Sequence, residues 1–437
     1  MSELEALEQR IRDKSAHIGV VGMGYVGLPL GVAMAKAGFR TTCIDVDPRK
    51  VELVNQGRSH VQDIPDEVLA PLVKDGLLDA SDDPAVISEL DAISICVPTP
   101  LRKTKEPDMT FIDKAVGMIA ENMKTGSLIV LESTTYPGTT EEVALHRLEQ
   151  GGWKVGEDFL LAFSPERIDP GNKTYTVENT PKIVGGITAR CTEVAAVYYE
   201  QFIEEVVRVS SARAAEMVKL LENTFRAVNI GLVNELALMC DRMDIDVWEI
   251  VDAAATKPFG FMPFYPGPGL GGHCLPVDPH YLSWKAKTYE FYARFIELAS
   301  EINSSMPEYV FQKISIGLNQ HRKCINGSKV LVLGVSYKRD VGDIRESPAL
   351  DVMELLRRAG ADLAYHDPYV EKLAIGALNL RSTSLEDDTV GNADCVVLMT
   401  DHTCFDLSSI AARASLIIDT RNATKNVGGD RANIIKL

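Results

Sequence analysis

Residues 17–45 constrain the fold of this chain more than any other stretch. A short apolar segment, residues 17–21, leads into a Gly-x-Gly-x-x-Gly motif, and a helix rich in small residues follows as far as Gly38. A second apolar segment, residues 41–44, then ends at Asp45. This order predicts a βαβ unit, because two parallel strands need a helical crossover between them. The chain is therefore expected to contain a parallel sheet covered by helices.

The glycine motif of this unit also predicts a ligand. Glycine lets a pyrophosphate approach the backbone and the N-terminus of the following helix. Asp45, about 20 residues beyond the first glycine, can accept hydrogen bonds from a ribose. No cation lies directly beside Asp45, which favours NAD over NADP, although Arg49 and Lys50 are close enough to leave that preference open. The predicted cofactor contacts in this unit are Gly22, Gly24, Tyr25, Val26, Gly27, Asp45 and Lys50.

Length and composition narrow the class of protein. At 437 residues the chain is too long for one compact core, so two or three domains are expected. Its net charge of -17 argues against nucleic-acid binding, which needs a basic face. No secretory signal and no apolar run of the roughly 20 residues in a membrane helix is evident, so no membrane partner is expected. The eight cysteines are scattered without metal-ligand spacing, which predicts reduced thiols, a cytoplasmic protein and no metal.

Three further apolar segments extend the first sheet, and polar residues follow each of them. The segments are residues 92–97, 127–131 and 159–163, and the residues that follow them include Pro98, Thr99, Thr134, Glu166 and Arg167. Because ligands of open α/β sheets bind beyond the carboxyl ends of the strands, these side chains are candidates for a site. Ordinary turn chemistry explains proline and threonine at such positions equally well. An acid beside an arginine is more typical of a site.

The pattern changes to long helices after about residue 210. Residues 212–241 contain no proline and carry apolar residues at helical spacing. They predict a helix of about 45 Å that can connect domains and offer a dimer surface. Lys219 and Asn223 lie four residues apart on it and share one face. An exposed polar pair is the ordinary interpretation, yet the apolar neighbours of Lys219 also fit a partly buried lysine.

A second α/β region closes the chain. After helices predicted near residues 247–255 and 279–320, apolar segments recur at residues 329–333, 362–365, 395–399 and 416–419 without a second glycine motif. The predicted fold is therefore α/β, with two doubly wound, Rossmann-like domains joined by a central helical domain and its long connecting helix. The expected domains are residues 1–209, 210–310 and 311–437.

The loop Pro266–Pro279 in the central region holds four glycines and four prolines. That composition excludes a helix or a central strand and predicts a rigid, closely packed loop. Cys274 lies just beyond its Gly-Gly pair, and Asp278 follows four residues later. From the loop alone, a catalytic nucleophile and a structural turn with a packed cysteine are equally supported.

Three motifs together resemble the UDP-glucose/GDP-mannose dehydrogenase family. They are GGHCLPVD from Gly271, AEMVKLLENT from Ala215 and GVSYKRDVGDIRES from Gly334, and the similarity extends over nearly the whole chain in the same order. Residues 263–274, with the VDPHYL that follows, resemble the bacterial branch that oxidises UDP-N-acetylhexosamines, and the UDP-N-acetylglucosamine 6-dehydrogenases are closest in appearance. The resemblance implies NAD-dependent, four-electron oxidation of a sugar C6 alcohol to the acid. It also implies a role in surface polysaccharide synthesis and a homodimer or higher homo-oligomer.

The chemistry of that family explains why a cysteine is needed. Two hydride transfers take the alcohol to an aldehyde and then to an acid, and an aldehyde has no hydride to give until a nucleophile adds to it. A thiolate forms a thiohemiacetal, whose oxidation gives a thioester that water cleaves. By resemblance, Cys274 is the nucleophile, and Lys219 and Asn223 hold the C6 oxygen. The candidates for proton transfer and water placement are Asp278, Glu166 and Thr134. Which group takes the first proton stays open.

The resemblance assigns the remaining contacts. Lys338 and Arg421 are expected to meet phosphates from the C-terminal domain. The implied substrate contacts are Glu166, Arg167, Lys219, Asn223, Tyr265, Gly271, Lys338 and Arg421, and the further cofactor contacts are Pro98, Thr99, Thr134 and Arg345. Residues 256–265 lack an arginine that UDP-glucose enzymes carry ahead of the cysteine motif, which argues against UDP-glucose. Tyr265 could replace that arginine, although a packing aromatic is an equal alternative.

Other interpretations stay open. The sugar nucleotide could be UDP-N-acetylgalactosamine, UDP-N-acetylmannosamine or UDP-glucose. A two-electron hydroxyacid dehydrogenase shares the first domain and the long helix but needs neither Cys274 nor the C-terminal domain. A non-catalytic nucleotide-sugar sensor would have a degenerate site, and the intact residues Lys219, Asn223, Cys274 and Asp278 weigh against it.

Overall fold

The computed structural model describes residues 3–61, 63–102, 106–168, 172, 174–385, 387–429 and 431–437. The chain divides into two compact units. The first comprises Met1–Glu222 and His280–Glu290, and the second comprises Asn223–Pro279 and Phe291–Leu437. The predicted long helix is present as a single element, and the boundary between the units falls within it. The three expected domain boundaries stay a prediction.

The helices lie where apolar residues recur at helical spacing. In chain order they are α1 (Glu3–Arg12), α2 (Gly27–Lys36), α3 (Pro48–Asn55), α4 (Asp66–Lys74), α5 (Thr110–Asn122), α6 (His146–Gln150), α7 (Ala189–Tyr199), α8 (Ala212–Arg242), α9 (Val247–Ala255), α10 (Asp278–Lys287), α11 (Arg294–Gln320), α12 (Pro348–Arg358), α13 (Asp387–Gly391) and α14 (Leu407–Arg413). Shorter helical turns occupy Pro84–Glu89, Thr140–Leu145 and Ala423–Asn426.

The strands are short and mostly apolar. They are β1 (His17–Val21), β2 (Arg40–Ile44), β3 (Leu78–Ser81), β4 (Ala92–Ile95), β5 (Ser127–Leu131), β6 (Phe159–Phe163), β7 (Lys182–Gly186), β8 (Val206–Arg208), β9 (Lys329–Leu333), β10 (Asp362–His366), β11 (Lys372–Ile375), β12 (Leu378–Arg381), β13 (Cys395–Leu398), β14 (Ile417–Asp419) and β15 (Ile434–Lys436).

The first unit is built on an eight-stranded sheet in the order β3-β2-β1-β4-β5-β6-β7-β8. Neighbouring strands are parallel except β6 and β7, which are antiparallel. The strand order reverses between β1 and β4, so this sheet is doubly wound and has a topological switch point there. In β5, Leu128 and Val130 pack into one apolar cluster, and Ile129 and Leu131 pack into another. Helices cover both faces, which explains why the strand is apolar throughout.

The second unit carries a parallel sheet in the order β10-β9-β13-β14-β15, together with the hairpin β11-β12. Its central strand β9 repeats the same alternation. Val330 and Val332 face one apolar cluster, and Leu331 and Leu333 face another. This second doubly wound sheet confirms the predicted fold class.

Helices α8 and α11 pack closely within the second unit. A Cβ placed on Gly231 would lie 3.0 Å from the Cβ of Ala299, so only glycine allows this approach without a shift. Nearby, the buried Asn234 donates a hydrogen bond of 2.8 Å to Asn303 Oδ1. Asn303 in turn donates to the carbonyl of Ala227 at 3.1 Å. The two amides satisfy each other inside an otherwise apolar contact.

The predicted helical run near residues 279–320 is confirmed, and several other elements were not foreseen. The run consists of two helices, α10 and α11, and Glu290 adopts a left-handed φ of 57° between them. The chain also passes from one unit to the other after this residue. The short strands β3, β8 and β15 and the hairpin β11-β12 were missed. No helix in the described ranges is long and apolar enough to span a lipid bilayer.

Candidate active site

The glycine motif forms a cradle at the carboxyl end of β1. Gly22 has φ +98°, and an added Cβ would lie 2.6 Å from the carbonyl oxygen of Cys96. At Gly27, an added Cβ would lie only 1.8 Å from the carbonyl oxygen of Gly22. At Gly24, by contrast, no atom lies within 4 Å of the same position. Two glycines therefore serve the turn itself, and the third leaves open space for a ligand.

The start of α2 suits an anionic ligand in this cradle. Its N-cap residue, Val26, offers no side-chain hydrogen bond to the first amides of the helix. Those amides and the helix dipole favour a phosphate. Tyr25 beside them is about half exposed. These features fit the pyrophosphate of a dinucleotide.

Asp45 is held in place at the end of β2. Its Oδ2 accepts a hydrogen bond of 2.8 Å from the amide of Met23 in the glycine turn, and its Oδ1 accepts from the amide of Asp47. Lys50 Nζ lies 3.2 Å from Oδ2. Arg49 is instead paired with Asp47 at 2.9 Å. Asp45 is thus fixed beside the cradle, and its neighbouring guanidinium is engaged with another acid.

The residues after β4 and β5 lie at the same sheet edge. Thr99 is buried, and its carbonyl accepts a hydrogen bond from the hydroxyl of Tyr281 on α10. Ser133 donates to the carbonyl of Val97 at 2.8 Å, which ties the two loops together. Thr134, the next residue, is half-buried, while Pro98 is exposed. Both loops are therefore anchored by backbone acceptors, and Pro98 and Thr134 are left at their surface.

Glu166 follows β6 and stands among buried charges. Its Oε1 accepts two hydrogen bonds of 2.6 Å from the amides of Arg167 and Ile168, and its Oε2 lies 3.3 Å from Lys182 Nζ. Lys219 on α8 donates to the backbone carbonyl of Glu166 at 2.6 Å. The structure thus brings Glu166 and Lys219 together, and the buried interpretation of Lys219 is correct.

Arg167 has partners within the protein. Its guanidinium donates to the carbonyl of Pro181 and to the carboxylate of Glu222, both at 2.6 Å. It therefore holds the segment after β6 against β7 and α8. Its assignment as a substrate contact stays a prediction.

Sequence reasoning missed three buried ionisable groups in this unit. Glu132 and Lys182 form an ion pair of 2.6 Å, and Glu216 on α8 accepts hydrogen bonds from the amides of Gly138 and Thr140. Burial raises the pKa of Glu216 to about 7, although those hydrogen bonds oppose the rise. Two sequence signals were available. Glu132 directly follows the apolar strand β5, and Lys182 is the first residue of the apolar strand β7.

The loop Pro266–Pro279 lies in the second unit and packs against that unit's own segments. The amide of Gly267 donates to Asn234 Oδ1 at 2.9 Å, and the amide of Gly272 donates to the carbonyl of Arg345 at 3.0 Å. Gly272 has φ +87°, and an added Cβ would lie 2.8 Å from the ring of Tyr337. At Gly271 it would lie 2.7 Å from the Cβ of the same tyrosine. A closely packed loop without helix or strand is confirmed for residues 266–277, and its glycines serve this packing. The prediction is wrong for the last two residues, because α10 begins at Asp278 and the fixed φ of Pro279 suits the first turn of a helix.

Cys274 and Asp278 end this loop. Cys274 is exposed, and its carbonyl accepts hydrogen bonds from the amides of Val277 at 3.0 Å and Asp278 at 2.8 Å, which form the turn into α10. The carboxylate of Asp278 is buried and accepts a hydrogen bond of 2.5 Å from Asn223 Nδ2. A thiol, a carboxylate and an amide thus stand on one short turn and the helix beside it.

The other predicted contacts of the second unit occupy separate environments. Tyr265 stacks on Trp248 and donates to Asp252 at 2.8 Å. Arg345 is exposed and pairs with Asp343 at 2.6 Å. Lys338 is half-buried in the loop after β9. Tyr265 therefore has the packing role that was its alternative, and a part in sugar binding stays a prediction.

Arg421 lies behind the glycine–proline loop. Its Nε donates to the carbonyl of Met399 at 2.9 Å, and a Cβ on Gly267 would lie 2.8 Å from its Nη1. Burial, and then the positive charge of Arg339, lower the pKa of Arg421 to about 10. A guanidinium in this position favours the binding of an anion.

No cluster of three or more His, Cys, Asp and Glu side chains in the described segments could hold a metal ion.

Alanine at Gly24 and at Gly27 is expected to separate ligand binding from folding. Gly27→Ala should lower the free energy of unfolding in urea by about 1–3 kcal/mol or more, because its Cβ collides with the backbone of Gly22. Gly24→Ala should leave that free energy within about 0.5 kcal/mol. It should nevertheless weaken NAD binding, measured by calorimetry, about tenfold or more, a loss of about 1.4 kcal/mol. Wild-type NAD affinity in Gly24→Ala would place the pyrophosphate elsewhere.

Models of one family match three successive parts of the chain. The UDP-glucose/GDP-mannose dehydrogenase family's NAD binding domain matches residues 16–203, its central domain residues 213–305 and its UDP binding domain residues 331–426. An NDP-N-acetyl-D-galactosaminuronic acid dehydrogenase of Ralstonia solanacearum is 34% identical over 415 residues, which cover 92% of this chain and 95% of the relative. A UDP-N-acetyl-D-mannosamine dehydrogenase of Campylobacter jejuni is 35% identical over 395 residues, which cover 88% of this chain and 94% of the relative.

A solved structure agrees with these relatives. The UDP-D-ManNAc dehydrogenase of Pyrococcus horikoshii superposes with a TM-score of 0.87 at 32% identity, and covers 96% of this chain and 98% of its own. Similarity of this extent, in sequence and in fold, shows that the chain belongs to the UDP-glucose/GDP-mannose dehydrogenase family, whose NAD-binding domain corresponds to the glycine motif and sheet of the first unit.

Proposed function

We propose that the protein oxidises the C6 alcohol of a UDP-N-acetylhexosamine to the carboxylic acid in two successive steps, with Cys274 as the nucleophile. The observation that carries this proposal is the exposed thiol of Cys274 in a closely packed loop, four residues ahead of a buried carboxylate that is hydrogen-bonded to Asn223. Such an arrangement suits a substrate that must stay covalently bound between two oxidations.

The other cysteines are poorer candidates. Of the eight, Cys274, Cys324 and Cys404 are exposed. Burial raises the pKa of Cys43 to about 12 and that of Cys395 further, so these thiols stay protonated and unreactive. Cys324 lies in the connection between α11 and β9, where its Sγ contacts the carbonyl of Asn326. Only Cys274 follows a glycine-rich loop and precedes a buried acid.

The proposed reaction balances with water as the only other reactant besides NAD. The C6 alcohol loses a proton to a base and is oxidised to the aldehyde. The thiolate of Cys274 adds to the aldehyde carbon, so that a C–S bond forms and the oxygen takes up a proton. Oxidation of this thiohemiacetal gives a thioester. Water then attacks the carbonyl carbon, the C–S bond breaks, and the acid and the free thiol are released. When bound, NAD accepts one hydride in each oxidation.

The polar side chains divide the remaining work in this proposal. Lys219 and Asn223 hold the C6 oxygen, because an ammonium and an amide N–H stabilise the charge that develops there. Asp278 and Glu166 take and return protons, and Thr134 places the attacking water. The residues at the carboxyl ends of β1, β2 and β4 hold the cofactor, with Arg345 as a further contact.

The UDP moiety is assigned to the C-terminal region. Lys338 and Arg421 offer two cations near the carboxyl ends of β9 and β14, where open sheets bind ligands. The matching family domain is described as UDP binding. We propose that both side chains contact the diphosphate.

The sugar is proposed as a 2-acetamido hexose. Sequence motifs favour UDP-N-acetylglucosamine, whereas the two relatives carry the names of galactosaminuronic acid and mannosamine enzymes. Tyr265 and its neighbours Phe259, Phe261 and Met262 are exposed aromatic or apolar side chains in the segment where UDP-glucose enzymes place an arginine. Such a segment suits an acetamido group better than a bare hydroxyl.

We expect one UDP-N-acetylhexosamine to yield two NADH per sugar. The four sugar nucleotides to compare are UDP-N-acetylglucosamine, UDP-N-acetylgalactosamine, UDP-N-acetylmannosamine and UDP-glucose. NADH is counted by absorbance and the uronic acid by mass spectrometry. The preferred acetamido sugar should exceed UDP-glucose in kcat/KM by about 100-fold or more, because polar groups of a matched pocket are left unpaired by the wrong sugar. One NADH with free aldehyde would contradict the four-electron reaction, and none with tight UDP-sugar binding would favour a sensor.

Cys274→Ser is expected to stop formation of the acid. The loss in kcat should be about 1,000-fold or more, as for removal of other covalent nucleophiles. UDP-sugar and NAD affinities, measured by calorimetry, should change little. Cys324→Ser removes another exposed thiol and is the matched control, which should keep full activity. Normal acid formation by Cys274→Ser would refute the thioester route.

A further part of the proposal concerns assembly. In the second unit α8 exposes Phe225, Leu232 and Met239, which are 46%, 54% and 47% exposed and lie seven residues apart. This spacing produces one apolar stripe along the helix. On α11, Phe295 and Leu298 are also exposed. Because a two-fold interface uses the same surface of both copies, we propose that this stripe packs against the same helix of a second copy.

Leu232→Lys is expected to weaken this dimer. A charge in the centre of an apolar interface should raise the dissociation constant about 30-fold or more, equivalent to a loss of at least about 2 kcal/mol. Sedimentation velocity across a concentration series measures the effect. Ile375→Lys, at an exposed apolar side chain on the β11-β12 hairpin, is the control and should leave assembly unchanged. A wild-type protein that stays monomeric at micromolar concentration would refute the proposed interface.

A further inference from the structure

The charges behind Glu166 are not explained by the reaction as proposed so far. Glu132 and Lys182 are 0% and 5% exposed at their side chains, and neither can reach a ligand in solvent. Lys182 Nζ lies 2.6 Å from Glu132 Oε2 and 3.3 Å from Glu166 Oε2. One buried ammonium is therefore shared by two carboxylates that come from different loops.

Tyr199 on α7 completes the arrangement. Its hydroxyl donates to Glu132 Oε1 at 2.7 Å, and Lys182 Nζ lies 5.2 Å from the centre of its ring. Both carboxylate oxygens of Glu132 are thus engaged, and its orientation is fixed. A buried ion pair is weak as a source of stability, because apolar residues of similar volume often serve as well or better. A role in positioning accounts for charges that stability does not require.

Glu166 connects this cluster to Lys219. Its carboxylate is held by Lys182 on one oxygen and by two backbone amides on the other, while its own carbonyl accepts the hydrogen bond from Lys219 Nζ. Because the carboxylate of Glu166 is hydrogen-bonded to the next two backbone amides, its position is coupled to the backbone that carries the acceptor of Lys219. Lys182 therefore acts on both residues through one contact.

We propose that Lys182 and Glu132 are positioning residues, which hold the carboxylate of Glu166 in one orientation and thereby fix the carbonyl that anchors Lys219. This inference rests on the proposed function for its catalytic consequence, but not for its structural one. Lys182 supplies the positive charge, and Glu132 holds Lys182 in place through an ion pair of 2.6 Å.

The electrostatics around the cluster agree with this arrangement. The ionisable groups that face it are Glu132 after β5, Glu166 after β6, Lys182 on β7, Tyr199 on α7, Lys219 on α8 and Cys96 after β4. Burial lowers the pKa of Lys182, but the two carboxylates outweigh burial and leave it raised, so Lys182 stays charged. Burial, opposed by Lys182 and reinforced by Glu166, raises the pKa of Glu132.

Lys182→Met tests the inference, because methionine keeps the length of the side chain and removes its charge. We expect kcat for acid formation to fall about 10- to 100-fold, as for other small misplacements of catalytic groups. The acidic limb of the pH–kcat profile should move to higher pH, because without the ammonium two neighbouring carboxylates repel each other and are protonated more readily. NAD affinity should be unchanged. Lys182→Arg should recover most of the rate and the wild-type profile.

A matched control and a second variant keep the result interpretable. Lys154→Met removes a lysine whose partner, Glu157, is exposed, and it should change neither rate nor profile. If Lys182→Met does not fold, the double variant Lys182→Met/Glu132→Gln removes the opposite charges together. It should still lower kcat about 10- to 100-fold, because the contact that orients Glu166 is gone, but its acidic limb should move less than in Lys182→Met, because the repelling charge of Glu132 is also removed. A Lys182→Met protein that folds and keeps the wild-type rate and profile, a double variant with the wild-type rate, or loss of activity at every pH without rescue by arginine would overturn the inference.

Hydrogen exchange separates this inference from the proposed function. The amides of Arg167 and Ile168 donate to Glu166 Oε1, so they report its position whether or not the protein turns over a sugar. We expect both amides to exchange at least about tenfold faster in Lys182→Met than in the wild type, equivalent to about 1.4 kcal/mol of lost protection. Unchanged exchange would refute the positioning role. An inactive wild-type enzyme would refute only the proposed function.

Discussion

The first unit depends on a constraint of parallel sheets, which is that strands hydrogen-bonded in register end at one edge. Val21 of β1 pairs with Ile95 of β4, Ile95 pairs with Leu131 of β5, and Leu131 pairs with Phe163 of β6. The segments that follow these strands carry the glycine motif and three groups of predicted site residues. They therefore leave the sheet side by side, although Gly22 and Arg167 are 145 residues apart in the chain (167 − 22). The pairing of the apolar strands therefore determines where the polar loops lie.

The reactive side chains are held in position differently in the two units. In the first, charged side chains are buried at the sheet edge and hold one another, so that Glu166 is gripped at its carboxylate and its carbonyl. In the second, the thiol of Cys274 is presented by a loop that is almost without regular structure. That loop is held by close contacts. Its glycines pack against Tyr337, and its amides donate hydrogen bonds to Asn234 Oδ1 and to a backbone carbonyl. Ion pairs and hydrogen bonds hold the reactive groups of the first unit, whereas close packing holds the loop of the second unit.

The sequence predicted most accurately the elements whose pattern lies within one continuous stretch of chain. The glycine motif, the apolar strands and helix α8 follow from residues that are neighbours in the chain, and the family models confirm the predicted NAD domain. The pairing of Glu132 with Lys182 could not be predicted, because it joins residues 50 positions apart through the register of separate strands. The three-residue strands β8 and β15 were missed for the same reason. Their pairing is determined by neighbours in space rather than by their own sequence.

Helix α8 has a consequence for any motion of the protein. Lys219 belongs to the first compact unit and Asn223 to the second, yet both are part of one uninterrupted helix with neither glycine nor proline between them. Side chains four residues apart on a helix stay about 5–6 Å apart at their Cβ atoms. A hinge elsewhere in the chain could change many distances, but it would leave this one unaltered. The backbone of a single helical turn thus fixes the separation of two residues that belong to different compact units.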